Sequence, residues 1–221
     1  MTSHSDSGTL VLHGLRLKGF AGAEAVAEAV GIEDADAKPE LDHLVAHGLA
    51  SYREGRLSGF TLTPAGREEH ARRLEAQLED TGTRPVIRGA YERFLEINAD
   101  LLDICTAWQL RDVGGEQVIN DHTDAAHDQA VIGRLAELDA KVQPICADLG
   151  AALDRFAGYG PRLADALAKV RAGAVDWFTK PMIASYHTVW FELHEDLLAT
   201  LGIERSSETQ PDAESQPERQ H

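Results

Sequence analysis

The chain has 221 residues, enough for two small domains, and its 43% hydrophobic content with both charge signs throughout is that of a soluble globular protein. A formal net charge of −16 argues against general nucleic-acid affinity, which comes largely from cations that neutralise phosphates. No apolar run approaches the ~20 residues that span a bilayer, and residues 1–8 lack a secretory pattern, so the expectation is a cytoplasmic protein with no membrane partner.

In chain order, residues 9–18 carry Leu10, Val11, Leu15 and Leu17 with Gly14 and predict a short buried helix that Phe20-Ala21-Gly22 breaks. Residues 23–30 (AEAVAEAV) predict a second helix, stopped by Gly31. A third reaches Gly48, with Leu41, Leu44 and Val45 on one face and Pro39 interrupting its early part. Residues 50–53 and 57–62 read as two short strands around Glu54-Gly55-Arg56, a hairpin. Thr63 as cap and Pro64 at the first helical position open a further helix. Helix, helix, turn, helix, hairpin, helix is the order of a winged helix-turn-helix domain, here over residues 8–80.

The same stretch carries a family resemblance. Leu41, Leu44 and Gly48-Leu49, then Arg53-Glu54-Gly55-Arg56, then Phe60, Leu62-Thr63-Pro64 and Gly66-Arg67 resemble the wing and flanks of MarR-like and PadR-like bacterial transcriptional regulators. The resemblance covers about a third of the chain. It implies DNA as partner, a third helix in the major groove, a hairpin wing on the backbone, and a homodimer. The DNA-contact candidates are Lys38, His43, Arg53, Arg56 and Arg67.

The charges fit this only in part. Residues 1–80 hold eight Lys or Arg against fourteen Asp or Glu, a net of −6, and the third helix sets Asp36 and Glu40 beside Lys38, its only firm cation. DNA binding would therefore rest on a local basic patch, Arg53 and Arg56 in the wing and Arg67, Arg72 and Arg73 on the helix after it, with Arg16 and Lys18 nearby in sequence. His43 and His47 have the i, i+4 spacing of a helical metal pair, but without further ligands they point to no metal.

After Thr81-Gly82-Thr83-Arg84-Pro85, residues 85–203 read as helical throughout, a helical effector or dimerisation domain. Helices are expected over 86–111 with a break at Asn98-Ala99-Asp100, from Asp121 or Thr123 past Pro144 to Leu153, over 162–171, and as one long helix over 175–201, with Val113-Gly114-Gly115 a loop. Such segments suggest an antiparallel bundle. Cys105 and Cys146 lie in apolar helical contexts without a C-x-x-C partner and read as buried thiols. Residues 204–221 read as a disordered tail. The fold class is thus mainly α, a winged domain with a small hairpin followed by a helical bundle.

In the last helix Tyr186, His187, Trp190 and His194 recur at helical spacings on one aromatic-rich face, and His122 and His127 sit among aspartates near a helix start. Together they are candidates to line a small-molecule pocket between bundle helices. No cofactor is named by the residues. No nucleophile elbow, Walker loop, Rossmann fingerprint, zincin helix or di-iron repeat occurs, so an enzyme is not expected. The leading expectation is a ligand-responsive transcriptional regulator. The alternative is a winged protein-interaction or regulatory module that does not bind DNA.

Overall fold

In a computed structural model that describes residues 6–205, the chain is mainly helical with two small antiparallel β-hairpins. The elements are α1 (Ser7–Lys18), α2 (Ala23–Val30), α3 (Asp34–Ala46), β1 (Ala50–Arg53), β2 (Gly59–Leu62), α4 (Pro64–Thr81) and α5 (Arg84–Gln109). They continue with β3 (Leu110–Val113), β4 (Glu116–Ile119), α6 (Ala125–Ala152), a 3-10 turn (Asp154–Phe156), α7 (Tyr159–Arg171), α8 (Asp176–Thr179) and α9 (Tyr186–Leu201). Apart from residues 204 and 205, the tail expected to be disordered lies outside the described residues.

Local chemistry sets most boundaries. The Asp6 carboxylate accepts from the Thr9 N–H to start α1, and Thr63 accepts from the Gly66 N–H to start α4, with Pro64 where a missing N–H costs nothing. Gly31 and Gly82 end α2 and α4 in the left-handed region that a side chain would resist.

Two separate apolar cores form. One gathers Val11, Leu12 and Leu15 of α1, Val26 of α2, Leu41 and Leu44 of α3, and Phe60 and Leu62 of β2. The other draws on α5, α6, α7, α8 and α9, with Phe94, Leu149, Phe156, Phe178 and Tyr186 among its fully buried side chains. Ala21, between α1 and α2, exchanges backbone hydrogen bonds with Phe60, so an extended rung flanks the first hairpin. Cys105 and Cys146 are free and buried, and burial pushes their thiols up to about 11 and about 12.

Four expectations are corrected. Pro39 does not interrupt α3: it and Ala35, whose carbonyl loses its donor, both face solvent, where the loss is tolerable. Asn98 does not break α5, because its side chain is engaged by Trp190 rather than competing for the backbone. The region after α4 is not helical throughout: Gly114 and Gly115, at φ 68° and 91°, form the two-residue turn of the β3–β4 hairpin, a loop that follows strand twist. The single helix expected over 175–201 is two helices, since Pro181 holds Lys180 extended and Met182 turns left-handed at φ 68° before Ser185 caps α9.

Gly66, in the first turn of α4, is the tightest position in the hairpin region. A Cβ there would lie 1.9 Å from the Leu49 carbonyl oxygen, which also accepts from the Thr63 N–H. Gly66→Ala should therefore destabilise the protein by about 3 kcal/mol in urea unfolding, through displaced backbone. A loss below about 0.5 kcal/mol, the ordinary range for surface changes, would contradict this packing.

Candidate functional site

The site is organised by α9. Ser185 caps it, accepting from the Thr188 N–H, and eleven of its sixteen residues are buried. A helix covered on nearly every side must find partners for each polar group it carries. Glu192, Asp196 and Thr200 recur every four residues and form one stripe, while His187, Trp190, Phe191 and His194 lie on the opposite side.

The first stripe faces the N-terminal half. Asp196 is 1% exposed. Its Oδ1 lies 3.0 Å from His13 Nε2 of α1 and 3.5 Å from Arg155 Nε of the 3-10 turn, and it accepts from the Thr200 hydroxyl at 3.0 Å. Its Oδ2 accepts from the Tyr159 hydroxyl of α7 at 3.1 Å. Burial alone would raise the carboxyl pKa, but neighbouring His13 and Arg155 hold it at about 2. His13 Nδ1 in turn lies 2.9 Å from His70 Nε2 of α4, the two rings stacked with centroids 5.2 Å apart. Arg155 also donates to Gln77 of α4 at 3.0 Å and to Thr200. One turn earlier, Glu192 binds Lys18 Nζ of α1 at 2.6 Å and Arg162 of α7 at 2.5 Å. Burial opposes the ionised form of Glu192, yet these two cations keep its pKa below the usual carboxylate value. Of these junction residues only Lys18 was a sequence candidate, as part of the basic patch for DNA, and the structure commits it to Glu192 instead. The available signals were His13 inside the apolar run Val11-Leu12-His13-Gly14-Leu15, and Asp196 beside Leu193, Leu197 and Leu198.

The opposite side of α9 opens on a cavity of ≈ 370 Å³ against α5. Three sequence candidates, His187, Trp190 and His194, line it, with Asn98 and Leu102 of α5 and Phe191. Trp190 donates its indole N–H to Asn98 Oδ1 at 2.9 Å and packs on Phe94. His194 lies between Phe94 and Tyr91. His187 is half-buried, and burial lowers its pKa, so the neutral ring is favoured.

The other candidates are not brought to this cavity. Tyr186 points into the core and donates to Asp139 at 3.2 Å. His122, at φ 58°, sets Nδ1 3.1 Å from Asp128 Oδ2 and packs on Trp108, which stacks on Phe178. His127 contacts the Ala107 carbonyl at 2.8 Å. Trp108 lies ten residues along α5 from Asn98, roughly 15 Å by helical rise, so the two groups of histidines occupy different levels of the same core.

Among the DNA-contact candidates, Lys38 is tied to Asp42 at 2.5 Å and the His43 ring packs tilted against His47 at 4.0 Å between centroids. Arg53 lies over the Phe20 ring at 4.6 Å, while Arg56 and Arg67 are exposed, with no ion pair among the described residues. Arg72 and Arg73 are engaged by Glu69, whose pKa they lower to about 2. Among the described residues, no group of three or more His, Cys, Asp or Glu is placed to hold a metal ion. Nor is any helix there long and apolar enough to cross a membrane. Compared with protein-family models, curated proteins and solved structures, the chain matches none.

The junction makes stability depend on pH. His70 is held at about 3, first by burial and then by the nearby His13, Arg16 and Arg155. Because this lies below its ordinary 6.5, the unfolded chain binds the proton first as pH falls. The stability His70 contributes is therefore complete above pH 6.5 and is lost progressively toward pH 3. Asp196, lowered from 3.8, adds to the loss only at lower pH. Between pH 6.5 and 3.8, His70→Gln should lose less stability than wild type, by about 1.4 kcal/mol per pH unit, in urea unfolding at stepped pH. Parallel curves for the two proteins would remove His70 from this role.

Proposed function

We propose that the chain is a ligand-responsive, DNA-binding transcriptional regulator that works in the cytoplasm as a homodimer. Residues 8–80 act in this reading as a winged helix-turn-helix unit whose hairpin touches the DNA backbone. Residues 85–203 act as a helical bundle that senses a small molecule. The observation that carries the reading is the division of labour on α9: one side lines the ≈ 370 Å³ cavity and the other holds α1 and α4 through Asp196 and Glu192. A ligand that shifts α9 acts directly on the groups that hold the N-terminal half, which is the differential contact that allosteric coupling requires. The order of elements and the Ala21–Phe60 rung beside the hairpin support the winged reading.

A second reading is favoured by one observation. The exposed surface of α3 carries Asp34, Asp36 and Asp42, and its one lysine is committed to Asp42, so a major-groove approach meets phosphate repulsion. That surface suits a winged protein-interaction module.

Fluorescence anisotropy with a labelled 30-base-pair duplex at stepped salt separates the two. The regulator reading predicts binding at low salt that weakens as salt rises. Replacing Arg53 and Arg56 together by Ala should lower affinity on every sequence and reduce the slope of log affinity against log salt by about 2. Absence of wild-type binding at low salt would favour the interaction module.

A further inference from the structure

The polar groups around the α5–α9 cavity specify what it takes. Trp190 can only donate, so its bond fixes the Asn98 amide with Oδ1 toward the indole and leaves the Nδ2 amino group to donate elsewhere. Neither Asn98 Nδ2 nor the His187 ring has a hydrogen-bond partner among the described residues. Arg205, at the rim, is paired with Glu195 at 2.6 Å and lies over Phe191, so its charge is already met. Among the described residues no carboxylate lines the cavity, although the chain as a whole carries a net charge of −16.

Each feature removes a ligand class. A cation would find no carboxylate among the described lining residues. An anion would enter a strongly acidic protein and find the one lining cation among the described residues, Arg205, already paired with Glu195. What remains is an uncharged molecule with an apolar body for Leu101, Leu102, Trp190 and Phe191 and an acceptor oxygen for Asn98 and His187. We infer that the cavity between α5 and α9 binds a neutral ring compound bearing a carbonyl acceptor, with Asn98 Nδ2 and the His187 ring as the groups that read that oxygen. The inference rests on the sensor reading of this cavity and adds the class of effector.

The test uses three probes that share one ring: acetophenone, benzoate and benzylammonium. Each is titrated into the full chain while the Trp190 indole N–H resonance, assigned with Trp190→Phe, is followed by NMR. The expected result is a saturable shift with acetophenone and at least tenfold weaker response to either charged probe. Asn98→Asp keeps an acceptor for the Trp190 N–H but removes the donor, and should weaken acetophenone binding at least tenfold while the melting temperature stays near that of wild type. Leu102→Trp fills the mouth while keeping both polar side chains and should also abolish the shift, so the inference remains testable if the Asp variant fails to fold. Equal or tighter binding of benzoate or benzylammonium overturns the ligand class, and no response to any of the three overturns the cavity as a binding site. Binding of acetophenone without any change in DNA affinity leaves this inference standing and removes the regulator reading instead.

Discussion

A carboxylate taken fully out of water must be matched there, and Asp196 is matched by groups from every element around it. An isolated buried carboxylate costs several kcal/mol, and the protein compensates with His13, Arg155, Thr200 and Tyr159 at the meeting point of α1, the 3-10 turn, α7 and α9. Such a network has strict geometry, because sliding α1 by even half a turn would take His13 away from the carboxylate. The relative placement of the two apolar cores follows from it. Glu192, bound by Lys18 and Arg162 one turn away, fixes a second point along the same contact. Two apolar cores touching through small surfaces could slide, whereas two clamped carboxylates set a register.

This arrangement gives α9 its double role. The helix is packed on nearly all sides and its two stripes are about half a turn apart, so in the proposed sensor reading a ligand that displaces His187 or Trp190 would act on the helix that carries Glu192 and Asp196. The acidity of the chain has a local counterpart. Of the eight cations in residues 1–80, four are engaged by carboxylates, Lys18 by Glu192, Lys38 by Asp42, Arg72 and Arg73 by Glu69, while Arg53, Arg56 and Arg67 are exposed and outside such pairs among the described residues.

The legible parts of the chain were those decided locally. The caps at Thr63-Pro64 and Gly31 and the spacing of Leu41 and Leu44 were readable because each depends on neighbours within a few residues. The cavity stripe His187, Trp190 and His194 was readable for the same reason, as a helical period. Tyr186 was grouped with it by the same helical spacing, one turn before Trp190, but turns to Asp139, a partner from α6 that no local pattern announces. Likewise Asn98 looked like a helix breaker until its partner Trp190 arrived from α9. His13, His70 and Asp196 escaped notice because their pairing joins the two ends of the chain. In the sequence each is only a polar residue beside leucines or on a charged helix.

The central claim is that the contact between His13 and Asp196 couples the two halves energetically. A double-mutant cycle measures this: urea unfolding of wild type, His13→Leu, Asp196→Leu and the double variant, at neutral pH. The account predicts an interaction energy of about 1.5 kcal/mol or more, since both groups are buried and share one network. Effects that add to within about 0.5 kcal/mol, as for independent sites, would contradict it.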